Sequence, residues 1–218
     1  MKTTPIGSRS VIFTFEARDL GSDWDLNLHL IMGNAFNFVI DPGLGNFTVE
    51  PMIAYANARN DLPFVIVNTH YHWDHTWAND QIEGALIIGH TLCGEKIEAN
   101  WSGELERNKY FVREPRVKVL PNLTFDESIY FSLDKIRLIH TPGHSTDSIS
   151  IIDEVDGIVN MGDNIGDSMA EIIPDLECDR ETYRTSLKKC KAFNCHTVVS
   201  GHNQILESDV IDKIFDLL

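Results

Sequence analysis

Apolar and polar residues alternate over Val11 to Arg18 and again over Leu26 to Met32, where Leu26, Leu28 and Leu30 share one face and Asn27, His29 and Ile31 the other. A period of two predicts strands, because successive strand side chains point to opposite sides. A Gly33-Asn34 turn signal and a third strand, Phe36 to Ile40, make the opening an antiparallel meander that ends at Asp41-Pro42-Gly43. Val49 to Ala58 has helical spacing. The run Phe64-Val65-Ile66-Val67 is short and β-branched, follows Pro63, and predicts a buried strand. Further strands are predicted over Ala85–Ile88, Val117–Leu120, Ile129–Leu133, Ile136–Ile139, Ser148–Ile152, Gly157–Met161 and Thr197–Ser200, with a hairpin across Asp153 to Asp156. Helices are predicted over Leu92–Trp101, Tyr183–Phe193 and Asp209–Leu218, the last capped by Ser208 or Asp209. Met1 to Gly7 is polar and predicts no element. Residues 102–118 have no clear period and read equally as a lid or a solvated connection; residues 164–181 read as a long loop. With no repeat, low-complexity tract or linker, one α/β domain over 1–218 is expected.

Composition narrows the partners. The 218 residues are 43% hydrophobic and 23% charged, ordinary globular values with enough apolar material for a sizeable core. A formal charge of −15 without any Lys/Arg block argues against nucleic acid or an anionic membrane. The apolar runs are too short to span a bilayer and no signal peptide opens the chain. Cys93, Cys178, Cys190 and Cys195 form no C-x-x-C pair, so free thiols in a reducing cytoplasm are expected. The expected partner is a small-molecule substrate.

The chemistry is concentrated after the Phe64 strand, where Asn68-Thr69-His70-Tyr71-His72-Trp73-Asp74-His75 packs three His and one Asp into six positions. If the chain stays extended through His72, His70 and His72 face one side and can grip one metal. A turn after them would let Asp74 and His75 serve a second. Imidazole and carboxylate donors suit zinc, manganese or iron. The pattern then recurs at strand ends: Ile136 leads to Gly143-His144, Gly157 to Gly162-Asp163, and Thr197 to Gly201-His202. Taken singly, each of these is more often a plain turn. Their sum with the first cluster points to one rim where seven side chains converge. His29, His90, His140 and His196 carry no such context and are left without a role. Trp73 and Trp77 read as packing more readily than as a pocket wall.

These residues resemble the metallo-β-lactamase-fold superfamily of binuclear metal hydrolases, over nearly the whole chain. Its His-x-His-x-Asp-His motif is matched by His70, His72, Asp74 and His75, and its later ligands by His144, Asp163 and His202. Asp41 matches the Asp of its opening motif, which the resemblance makes a support of the site. The resemblance implies an αβ/βα four-layer sandwich of two mixed sheets with helices outside. It implies one ion on His70, His72 and His144, another on Asp74, His75 and His202, and Asp163 with a water or hydroxide between them. Two divalent ions, zinc foremost with iron or manganese as alternatives, would activate the water and polarise the scissile group. Asp74 would also orient the hydroxide.

The carboxylate at Asp163 separates the chain from true metallo-β-lactamases, which generally lack one there. His72 in place of Glu, and the absence of a flavin domain, separate it from flavodiiron oxygen reductases. The pattern is most similar to the glyoxalase II-like branch, although only sixteen residues follow His202, too few for the glutathione-binding helical extension of glyoxalase II proper. A hydrolase of small thioesters or esters is therefore expected. A lactonase or phosphodiesterase is the alternative, and a metal-binding sensor without turnover a more distant one. Ser200-Gly201-His202-Asn203 departs from the usual Pro-Gly-His-Gly, and Asn203 reads as closing the turn.

Overall fold

The computed structural model describes residues 1–218. Thirteen strands and six helices follow one another as β1 (Lys2–Ile6), β2 (Ser10–Phe15), α1 (Ala17–Leu20), β3 (Leu26–Met32), β4 (Asn37–Ile40), α2 (Asn46–Asn57), β5 (Phe64–Val67), α3 (Trp73–Thr76), β6 (Leu86–His90), α4 (Thr91–Arg107), β7 (Leu123–Phe125), β8 (Ser128–Phe131), β9 (Ile136–His140), β10 (Ile149–Asp153), β11 (Ile158–Asn160), α5 (Arg180–Lys191), β12 (Thr197–Val199), β13 (Leu206–Glu207) and α6 (Asp209–Leu217). Strands β1 to β7 form one sheet in chain order; the second runs β13-β12-β11-β10-β9-β8. Both are mixed, with β4, β5, β6 and β7 parallel in the first and β11 and β12 parallel in the second.

The alternation along the strands sorts side chains into layers. Leu26, Leu28 and Leu30 of β3, with Val39 and Ile66, pack outward against Val49, Met52 and Ala56 of α2. Ile31, Phe38, Ile40, Val65 and Val67 point inward and meet Ile136, Leu138, Ile149 and Ile151 of the second sheet. Ile152, Val159 and Val198 on the far side pack against Tyr183 and Leu187 of α5 and Ile211 and Ile214 of α6. The result is a four-layer αβ/βα sandwich, as the family resemblance implies.

Several expected elements differ. The strand from Val11 stops at Phe15: Glu16 begins a helical turn, closed by Gly21 in the left-handed conformation. Lys2–Ile6 forms an edge strand despite its polar sequence, because pairing with β2 needs backbone groups and only one buried neighbour. Val117–Leu120 is irregular, bracketed by Pro115 and Pro121, and Leu123–Phe125 takes the place beside β6. The Leu92 helix continues to Arg107, followed by a 3-10 turn at Lys109–Phe111. Residues 206 and 207 add a short β13.

Strand register brings the ligand-bearing ends together. Ile40, Val67 and Ile88 are aligned across the parallel strands, so Asp41 and the Asn68 segment leave the first sheet at one edge. Asn160 is aligned with Val199, so Asp163 and His202 leave the second sheet at one edge. The amide of Ile149 donates to the Thr69 carbonyl at 2.8 Å, tying the two edges to each other.

Candidate metal centre

After β5 the chain bends through residues 69–72 and enters α3, a single turn whose first flanking residue is His72. That turn is what brings Asp74 and His75 to the same side as His70. The structure groups ligand atoms of His70, His72, His144 and Asp163 within 4.8 Å of one another, and those of Asp74, His75 and His202 likewise. Asp163 lies between the sets: its Oδ2 is 3.5 Å from His70 Nε2, 3.2 Å from His75 Nε2, 3.8 Å from His144 Nε2 and 3.3 Å from His202 Nε2. Asp74 Oδ2 is 3.5 Å from His75 Nε2 and 3.3 Å from His202 Nε2. Two glycines make this approach possible. Gly162 takes φ +52°, and a Cβ on Gly201 would collide with Asp163 Oδ1 and lie 2.8 Å from His75 Cε1.

Four imidazoles are oriented from behind. His75 Nδ1–H donates to Asp41 Oδ2 at 2.9 Å, His202 Nδ1–H to the Asp25 carbonyl at 2.8 Å and His144 Nδ1–H to the Asp175 carbonyl at 3.1 Å. His70 Nδ1 meets Thr69 Oγ1 at 3.0 Å, and that hydroxyl donates to Asp41 Oδ2 at 2.8 Å. Holding the proton on Nδ1 leaves Nε2 as a lone-pair donor towards the centre. His72 differs, presenting Nδ1 at 3.1 Å from His144 Nε2. Asp41 also accepts the Thr69 amide at 2.8 Å and adopts φ +57°, a turn conformation that Asp tolerates better than most side chains. It is turn former and support at once. Thr69, Asp25 and Asp175 were not legible as site residues; the last two contribute only backbone oxygens, which residue type does not signal.

Electrostatics follow burial and charge. Burial pushes His70 well below the usual imidazole value and His72 down to about 4, which favours the neutral, ligating form. Burial also opposes protonation of His75 and His202, but Asp163 and Asp74 outweigh it and raise both. In turn His75 and His202 hold the buried Asp163 carboxyl down despite its desolvation. His70 Nε2, His75 Nε2 and Asp163 Oδ1 are buried without a hydrogen-bond partner. Each such orphan costs about 1–3 kcal/mol, and cations among them would satisfy all three. The donor set therefore fits divalent metal.

A model of the metallo-beta-lactamase superfamily matches residues 24–202, a span that closes on the last of these ligands. The chain belongs to the metallo-β-lactamase superfamily. Within it, the "Beta-lactamase-like protein 2 homolog" of Caenorhabditis elegans is 25% identical over 195 residues, covering 86% of this chain and 59% of its own. The "Acyl-coenzyme A thioesterase MBLAC2" of Gallus gallus is 28% identical over 193 residues, covering 78% and 68% respectively. This chain thus spans about three fifths to two thirds of those relatives. The DIM-1 metallo-β-lactamase crystal structure superposes with a TM-score of 0.76 at 16% identity, covering 99% of this chain and 95% of that one, which shows the superfamily fold.

Superfamily chemistry needs an open approach to the centre, and here a cleft of about 610 Å³ reaches His202, past Asp23, Trp24, Asp25, Asp167 and Glu171. A neighbouring one of about 380 Å³ reaches His144 and Asp163 past Asp167, Glu171 and Asp175. The 164–181 loop is thus the rim. Residues 102–118 line neither cleft; Phe111 instead stacks on Trp24 with ring centroids 5.7 Å apart. Trp77 is fully buried in the outer core with Trp73 packed beside it, so both are packing residues. Asn203 closes its turn, donating to the Gly166 carbonyl at 2.8 Å and accepting the Gln204 amide at 2.8 Å. His140 stacks on His90 with centroids 3.8 Å apart, away from the ligand set. All four cysteines are free thiols, and no helix is long and apolar enough to cross a membrane.

Proposed function

We propose that the chain is a binuclear metal-dependent hydrolase of small thioesters or esters, with zinc as the foremost metal. The observation that carries this is Asp163: one buried carboxylate oxygen within 3.8 Å of four histidine Nε2 atoms drawn from both ligand sets. His70, His72 and His144 would hold one ion, Asp74, His75 and His202 the other, and Asp163 both. Two divalent ions would supply Lewis acidity and water activated near neutral pH, which the clefts otherwise lack, since no Lys or Arg lines them. Asp163 offsets their charge. Asp74, a buried carboxylate 3.3 Å from His202 Nε2, would also orient the attacking water. Asp41 and the Asp25 and Asp175 carbonyls hold the imidazoles in the ligating tautomer. The Gallus gallus relative named as an acyl-coenzyme A thioesterase supports a thioester as the electrophile.

Elemental analysis after zinc saturation should give two ions per chain, and Asp163→Asn should lose both metal and most turnover of a short acyl thioester. One ion or fewer in the wild type would overturn the binuclear reading. Hydrolysis of a cephalosporin with none of a thioester or lactone would overturn the substrate class.

A further inference from the structure

His72 is the one candidate ligand histidine that no hydrogen bond orients from behind. Its ring has a single hydrogen-bond partner, another candidate ligand: His144 Nε2, 3.1 Å from its Nδ1. If both nitrogens turn to one ion, neither carries a proton, and that contact ceases to be a hydrogen bond. The His72 ring must then be held by packing. Its chain neighbour supplies this: the Tyr71 ring meets it edge to face, with centroids 4.4 Å apart and planes at 65°. Tyr71 is itself tied down. Its hydroxyl donates to Glu177 Oε1 at 3.1 Å, and Lys96 Nζ lies 4.6 Å from the centre of its ring while pairing with Glu177 Oε2. Glu177 Oε2 also accepts the Thr146 amide at 3.1 Å, and the Glu177 amide donates to the carbonyls of Gly143 at 3.0 Å and His144 at 3.3 Å. A lone ion pair at this exposure contributes little. Here a single residue of the 164–181 loop joins α4, the turn that carries His70 to His75, and the loop that carries His144. Those segments come from both sheets, so the bonds close over His72 and His144 together. None of them reaches Asp74, His75 or His202.

We propose that Glu177 is a positioning residue for one half of the metal centre: through Tyr71 it fixes the His72 ring, and through Thr146 and its own amide it fixes His144. The proposal rests on the two-ion reading above and deepens it, since one ion depends on this clasp and the other does not.

Zinc affinities of single-site proteins test it. In His202→Ala the set of His70, His72, His144 and Asp163 remains whole; in His144→Ala the set of Asp74, His75 and His202 does. Adding Glu177→Ala should weaken zinc about tenfold in the first background, the usual loss for a partner that orients a ligand, and by less than about twofold in the second. Tyr71→Leu should act as Glu177→Ala does. Glu98→Ala, which breaks an exposed pair with Lys118 from the same helix as Lys96, should change neither affinity. Equal losses in the two backgrounds, or no loss in the first, would overturn the proposal.

The metal-free chain separates this from failure of the two-ion reading. With isotope-labelled histidine, Glu177→Ala should move or broaden the NMR signals of the His72 and His144 rings and leave those of His75 and His202 in place. If the wild type takes up no zinc, the two-ion reading falls, and this measurement still decides the positioning. Unmoved His72 and His144 signals, or ligand signals that all move alike, would refute it.

Discussion

Replacing Asp41 by Asn tests whether proton placement behind the histidines governs metal binding. The backbone at Asp41 has φ +57°, which Asn accepts, so the change is confined to one side-chain oxygen. In the native chain Oδ1 accepts the Thr69 amide at 2.8 Å, and Oδ2 accepts the Thr69 hydroxyl at 2.8 Å and His75 Nδ1–H at 2.9 Å. An amide offers one oxygen and one NH2. If its oxygen keeps the Thr69 amide, its NH2 faces His75 Nδ1, and His75 relieves the clash by moving its proton to Nε2. That atom lies 3.2 Å from Asp163 Oδ2 and is the one that would ligate in the proposed centre. If the oxygen turns to His75 instead, the buried Thr69 N–H is left facing another donor, a loss of about 1–3 kcal/mol. Either way the ion held by His75 should weaken about ten- to a hundredfold, or about 1.4–2.7 kcal/mol. Asp41→Ala loses every acceptor and adds about 1–2 kcal/mol of left-handed backbone strain, so it should also lower the melting temperature. Zinc would be titrated against a chromophoric chelator at neutral pH, resolving the two affinities. Both affinities of Asp41→Asn lying within about twofold of wild type, where support of this kind is worth tenfold or more, would refute the argument.

Gly201→Ala should push the Asp163 carboxylate off its position, because the new methyl collides with Oδ1; zinc affinity should fall at least about tenfold while circular dichroism stays native, and unchanged affinity would show the space is not needed. His29, buried in β3, is pushed down by burial to about 4 from 6.5, against a partial upward pull from Asp153. Its folded form therefore refuses a proton that the unfolded chain accepts, so its stabilising contribution is full above pH 6.5 and is lost as pH falls towards 4. Denaturant unfolding of metal-free wild type and His29→Gln should show the wild type losing about 3 kcal/mol more than the variant between neutral pH and pH 4; equal losses would refute the assignment.

The strands Leu26–Met32 and Phe64–Val67 were legible to the residue, because each buries side chains in a pattern that a period of two or an unbroken apolar run reports. Donor type and, for His144, Asp163 and His202, a preceding glycine are local properties, so the seven candidate ligands could be named from sequence, and the structure groups them in two sets. Edge strands Lys2–Ile6 and Leu206–Glu207 were not legible, because backbone pairing with a neighbour holds them and their side chains carry little of the signal. Val117–Leu120 has strand-like residues, yet Val117 stays 58% exposed, and Leu123–Phe125 wins the pairing with β6. The site shows the same division. Residue types announce metal chemistry, but only the fold decides that Asp163 reaches four histidines, that Asp25 and Asp175 orient two of them through carbonyls, and that residues 23–25 and 166–175 line the two clefts that lead there. Periodicity and donor type are properties of neighbours along the chain. The meeting of segments far apart in sequence is decided by two sheets burying their inner faces against each other, which no local pattern contains.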